Sequence, residues 1–307
     1  MTSLQASPAY YRYRYLMGAM QQNLLTTTVR LMCITEEAAR LDEIARAWRG
    51  ASARMTLLAT EETGLLDQIF ATEPTMKIRS RLKEIEEDRL FQASFSALPT
   101  DFMVVEIDRL VAPQREVNLD YVDDLRKRVP GKSIEELVNF CVGPRAEPPD
   151  LKVLQTAQNQ LTYTSRSLDL RFLGGYPKQI TENDIAVAHA GGQPVDVIAL
   201  LVGFGAAPIN VLMAGGRLIL VNGFHRVVAI RLVGITHIPV VVQHVAHPEI
   251  EFPDQFLGLS RAYLLQDPRP VLVKDFFDAA LTIELRLRPR RKTVKISWGN
   301  EDGVIPE

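Results

Sequence analysis

Five consecutive residues, Asn222-Gly-Phe-His-Arg226, hold the groups best suited to chemistry in this chain. Arg226 offers a planar fork of N–H donors that matches two phosphate oxygens at once. His225 can donate or accept a proton near neutral pH. Gly223 lets a ligand approach the backbone closely, and Asn222 has the reach to meet a sugar hydroxyl or a bound metal.

The flanking pattern says what must position them. Leu218-Ile-Leu-Val221 predicts a buried strand, which Asn222-Gly223 breaks. Val227, Val228, Ile230 and Leu232 predict a helix that opens at His225-Arg226 and stops at Gly234. Ile238-Pro-Val-Val-Val242 predicts a further strand. The first turn of a helix carries unpaired N–H groups and the positive end of the peptide dipoles, so it suits an anion. Read from the residues alone, this is a phosphate site at a strand-to-helix junction.

Pro208-Ile-Asn-Val211, the strand 218–221, Gly223-Phe-His-Arg226, Ala229, Gly234 and Ile238-Pro239 together resemble the ParB/sulfiredoxin-like superfamily. Its pattern is Pro-Ile-x-Val, a strand, Gly-x-His-Arg or Gly-Glu-Arg-Arg, a helix with Ala and Gly, then Ile-Pro. The match runs from about Gln193 to His244. The resemblance implies an α+β fold. It also implies a turn in which Asn222, Gly223, His225 and Arg226 hold ATP or another nucleoside triphosphate with Mg²⁺. Sulfiredoxins place a nucleophilic Cys between the Gly and His; here it is Phe224, so sulfinic-acid reduction is rejected. Partition-type CTPases carry Gly-Glu-Arg-Arg and a following helix-turn-helix, and neither is evident. The free-serine kinase branch has Gly-x-His-Arg and an acid soon after its first strand. Glu116, in Pro113-Gln-Arg-Glu-Val117, takes that place here, where a carboxylate accepts a proton from an attacking hydroxyl. Its plainer reading is a solvent-facing loop glutamate. The expected catalytic pair is Glu116 and His225. The expected function is Mg²⁺-dependent NTP hydrolysis or phosphoryl transfer. The alternative is a non-catalytic scaffold that binds a protein or nucleic acid. A nuclease is suggested by the superfamily alone, without a convergent acid–histidine set.

The totals narrow the classes. The chain has 307 residues and a net charge of -2, so no global field draws it to nucleic acid. Cys33 and Cys141 match no metal spacing and fit a reducing, cytoplasmic location. His225, His237, His244 and His247 crowd together without standard metal spacing, so no metal site is assigned. Residues 197–216 lack charge, but glycines and Pro208 interrupt them, and the resemblance implies a helix, a loop and a strand there; soluble core with no membrane contact is expected.

The organisation follows in three parts. Residues 1–100 are expected to form an all-helical layer, available to a protein partner. It opens on a tyrosine–arginine arm (Tyr10 to Tyr15) that packs on its own chain or stacks on bases. A helix over 36–49 is capped by Thr35 and stopped by Gly50, and another runs from Met76 to about Phe95 with a solvated charge run at 83–88. Residues 101–250 are expected to form the domain that resembles the ParB/sulfiredoxin-like superfamily; the alternative is that this domain begins near Leu168 and the earlier strand belongs elsewhere. On the first of these it opens on a strand at 103–107 and a helix capped by Asn118, with a large insertion at about 130–192. The insertion begins with a capping box at Ser133-Ile-Glu-Glu136, has strands over 161–172, and ends with a short helix stopping at Gly191-Gly192. Residues 251–307 hold a helix over 254–265 and a basic β-hairpin around Pro289-Arg-Arg291, where nucleic acid is possible but not favoured.

Overall fold

The computed structural model describes residues 8–68, 70–144, 147–186 and 193–302. In chain order the first elements are β1 (Tyr11–Leu16), α1 (Gln22–Met32), α2 (Thr35–Ala38), α3 (Leu41–Glu61) and β2 (Ala71–Thr72). Next come α4 (Met76–Glu86), α5 (Arg89–Phe95), β3 (Thr100–Glu106), β4 (Glu116–Asn118), α6 (Leu119–Lys127) and α7 (Ile134–Val142). The middle holds β5 (Lys152–Ala157), β6 (Gln160–Ser165), β7 (Leu170–Lys178), α8 (Glu182–Ala186) and β8 (Val197–Phe204). Then follow β9 (Asn210–Ala214), β10 (Arg217–Asn222), α9 (Phe224–Leu232), β11 (His237–His244) and α10 (Pro248–Glu251). The last are β12 (Gln255–Phe256), β13 (Leu259–Ser260), α11 (Arg261–Gln266), β14 (Thr282–Leu287) and β15 (Lys292–Ser297). The class is mixed α+β. The chain divides into two compact units: Met1–Pro144 with Ala206–Pro289, and Arg145–Gly205 with Arg290–Glu307.

The first unit is built on a five-stranded sheet of order β10-β9-β11-β3-β2. β11 runs antiparallel to β3 and parallel to β9. Residues Ile238 to Val242 are buried on both faces, as a continuous apolar run in a central strand requires. Pro239 is tolerated because β9 pairs β11 only from Val241 onward, leaving β3 as the sole neighbour there. α6, α7 and α9 contribute Val122, Leu125, Leu137, Val138, Val227 and Val228 to the same core. A smaller sheet, β14-β1-β4, closes over α1 and α3. In the second unit, β15-β6-β5 form one sheet and β7-β8 form a two-stranded ribbon.

Several expectations need correction. The first hundred residues are not all helical. β1 lies between β14 and β4, with Tyr13 and Tyr15 buried, Arg12 paired to Asp120 and Asp123, and Arg14 paired to Glu284. The tyrosine–arginine arm does pack on its own chain, the favoured of its two readings, and it does so as an internal strand. The helix predicted over 36–49 breaks after Ala38. It restarts at Leu41 and passes through Gly50, because Ala51 and Leu58 extend its buried face and nothing crowds the glycine. Thr35 makes no side-chain cap. The helix from Met76 breaks at Glu87-Asp88, where the Asp88 carboxylate accepts from the Leu90 and Phe91 N–H groups and starts α5.

β14 and β15 do not pair as a hairpin. β14 pairs with β1 and β15 with β6, so the basic run is divided between two sheets. The helix expected before Pro208 is the strand β8. The helix expected from Asp254 begins at Arg261, after the short β12–β13 pair. The predicted stop at Gly191-Gly192 lies outside the described residues. Asn118 caps α6, and Ser133 with Glu136 forms a complete capping box on α7.

Candidate functional site

β10 ends at Asn222, and Gly223 turns the chain into α9 with φ 95°. That left-handed conformation favours glycine. A Cβ there would lie 2.7 Å from Cγ1 of the buried Ile209, so packing within the protein also demands glycine. Phe224 follows, 4% exposed and part of the main core.

The polar side chains of this turn meet their own chain. Asn222 Nδ2 donates to the carbonyls of Ala206 (2.7 Å) and Pro208 (3.0 Å). Arg226 Nη1 donates to the carbonyls of Phe140 (3.1 Å) and Cys141 (3.2 Å), and Nη2 donates to that of Ala207. Phe140 and Cys141 lie in the last turn of α7, where carbonyls lack helical partners and that helix has no basic residue of its own. Arg226 supplies the missing positive charge from another element. Together, Asn222 and Arg226 pin residues 206–208, the entry to β9.

His225 points the other way. The Asn118 N–H donates to its Nε2 at 3.0 Å, so that nitrogen is an acceptor in this arrangement. The Tyr121 ring stands edge-on to the imidazole, centroids 5.3 Å apart. Asn118 also caps α6 through its side chain, so His225 fixes the start of that helix. Glu116 lies two residues earlier on β4, on the same strand face as Asn118, and opposite Tyr15 of β1. β4 thus brings Glu116 into the neighbourhood of His225, while Arg226 and Asn222 face a different set of segments.

The buried Cys141 thiol is pushed up to about 12 by burial, against a small opposing pull from Arg226. It stays protonated at neutral pH and carries no thiolate chemistry. Among the described residues no group of three His, Cys, Asp or Glu is arranged to hold a metal ion. His244 instead meets Asp101 at 3.0 Å, and His237 Nδ1 meets the Thr236 hydroxyl. The one guanidinium of the turn serves three carbonyls of its own chain.

Two open depressions lie elsewhere. One, of about 600 Å³, is lined by Gln22, Asn23, Thr26, Thr27 and Arg30 on α1. The other, of about 470 Å³, follows the end of α3 and includes Glu62, Phe70, Arg109 and Lys274. Its cations are balanced internally. Arg109 lies 3.2 Å over the Phe70 ring and 3.0 Å from Glu106, and Lys274 meets Glu62 at 2.7 Å. Glu62 also receives Arg269, a buried residue whose fork is bonded to both oxygens of buried Asp275.

Sequence reasoning missed this Glu62–Arg269–Asp275 network, because Glu62 lies 207 residues from Arg269. The role of Arg226 did leave a trace, since α7 ends without a basic residue. No family model, no curated protein and no solved structure matches the chain.

Proposed function

We propose that this chain is a scaffold or interaction protein built on a ParB/sulfiredoxin-like domain, and not a nucleotide-dependent enzyme. The order β3, α6, α7, β9, β10, α9, β11, with β9 and β11 parallel and adjacent, supports the domain resemblance. The observation that carries the scaffold reading is Arg226. Its guanidinium joins the end of α7 to the Ala207 segment, which is an architectural role. A fork directed at three carbonyls is not presented to phosphate oxygens. Asn222 and Gly223 serve the same junction.

Nucleic-acid binding through the basic C-terminal run finds less support. Arg286 is tied to Glu37 at 2.8 Å, and Arg288 donates to the Leu31 carbonyl.

The test is calorimetric titration of the intact chain with ATP, CTP, GTP and ADP, each with Mg²⁺. The expected result is no saturable heat from any of the four. A saturable signal would overturn the scaffold reading and return the Asn222–Arg226 turn, with Glu116 and His225, to the nucleotide reading.

A further inference from the structure

The depression that follows α3 holds charged groups with open hydrogen-bonding capacity. Glu62, Leu65, Phe70, Arg109 and Lys274 line it, all within the first unit. Its volume of about 470 Å³ falls in the range of about 300–1,000 Å³ that small-molecule sites occupy. Arg269 Nε and Lys274 Nζ both lie 2.7 Å from Glu62 Oε2, while Oε1 accepts no hydrogen bond from the described residues. Lys274 meets Glu62 alone and has further N–H groups to give. Arg109 donates through Nη1 to the Leu65 carbonyl at 3.0 Å and lies 3.0 Å from Glu106 through Nε, so Nη2 makes no hydrogen bond among the described residues.

Two features narrow what could enter. The first is balance. Arg269, Lys274 and Arg109 are matched by Asp275, Glu62 and Glu106. A lone anion would meet Glu62, and a lone cation would meet Lys274 and Arg109. A ligand that carries both charges avoids either conflict. The second is spacing. Glu62 and Lys274 set opposite charges 2.7 Å apart, so the complementary ligand holds its own opposite charges equally close. An α-amino acid carries its ammonium and carboxylate on one carbon. The side chains of Glu62, Arg109 and Lys274 are 23%, 27% and 29% exposed, so a ligand can reach them while water screens them only in part.

We propose that this depression binds a free α-amino acid with an apolar side chain. Its ammonium donates to Glu62 Oε1, and its carboxylate accepts from Lys274 Nζ and Arg109 Nη2. Both are charge-assisted hydrogen bonds, the stronger kind. Leu65 and Phe70 give the apolar side chain a wall to lie against. Arg269, itself fixed on both oxygens of Asp275, holds the Glu62 carboxylate in place from the buried side. The site goes beyond the scaffold reading and shares no residue with the Asn222–Arg226 turn, so either can fail without the other.

Calorimetric titration of the intact chain with L-leucine is expected to give a Kd of roughly 0.1–1 mM, as suits a small ligand in an open depression. N-acetyl-L-leucine keeps only the carboxylate, and L-leucinamide keeps only the ammonium. 6-Aminohexanoate is an isomer of leucine with its charges at opposite ends. Each of the three is expected to bind at least tenfold more weakly than L-leucine. Lys274→Met and Glu62→Gln are each expected to weaken L-leucine at least tenfold, whereas Lys127→Met, on the exposed side of α6, leaves it unchanged. Should Glu62→Gln fail to fold, Lys274→Met and the ligand series on the wild type decide the matter. Absence of saturable heat with L-leucine up to about 10 mM overturns the proposal. Equal binding of any of the three analogues, or L-leucine binding that survives Lys274→Met, overturns it too.

Discussion

In the Asn222–Arg226 turn, the amide, the guanidinium and the imidazole each meet backbone groups of their own chain. In the β7–β8 ribbon, large apolar side chains stand in solvent beside a strand edge that no described strand pairs. The turn has the residue types of a binding site and uses them to hold segments together. The ribbon has the composition of a core and carries it outside. Polar residues therefore locate a site only when their partners are absent from the fold, and apolar residues locate a core only when something covers them.

Arg226→Ala is the strongest way to break this contrast. It leaves the Phe140, Cys141 and Ala207 carbonyls without their charged donor. Hydrogen bonds from a charged group contribute about 1.5–3 kcal/mol each, and partial relaxation makes the expected loss about 3–5 kcal/mol. Urea unfolding of the intact chain measures it. Arg226→Lys is expected to recover less than half, because a single ammonium cannot fork between the end of α7 and the Ala207 segment. A stability change under about 1 kcal/mol for Arg226→Ala would mean the guanidinium is available to a ligand.

A second inward network sharpens the comparison through pH. Burial works to raise the Glu62 carboxyl, but hydrogen bonds from Lys274 and Arg269 outweigh it and hold the group below its ordinary value. A folded-state pKa below the unfolded one, about 4.3 for Glu, stabilises the protein fully above that pH. The contribution is lost as pH falls through the lower folded value. Thermal midpoints between about pH 5 and pH 3 are expected to drop in the wild type, and to drop less steeply in Glu62→Gln. Parallel slopes for the two proteins would remove Glu62 from the network's energetics.

Local signals in the sequence were sound where one segment decides its own structure. Asn118, the Ser133–Glu136 box, the Gly223 turn and the doubly buried β11 could all be read directly. Failures arose where a distant segment decides. Tyr10 to Tyr15 resembles a terminal arm until β14 and β4 are placed on either side of it. Gly50 resembles a helix stop until Ala51 and Leu58 are seen to continue the buried face. Residues 281–297 alternate like a hairpin, but their two halves find better partners in β1 and β6. At the candidate site, the residue types and the strand–turn–helix frame were legible. The direction of the Arg226 fork was not, because it depends on α7, which ends some eighty residues earlier.

The smallest effect is expected from Leu200→Lys on the stability of the chain. Leu200 is 42% exposed, so the long lysine stem can lie along the ribbon with its ammonium in water. Unfolding should differ from wild type by no more than about 0.5 kcal/mol. A large loss of stability in Leu200→Lys would place Leu200 in the packing of its own unit and remove the ribbon from the surface.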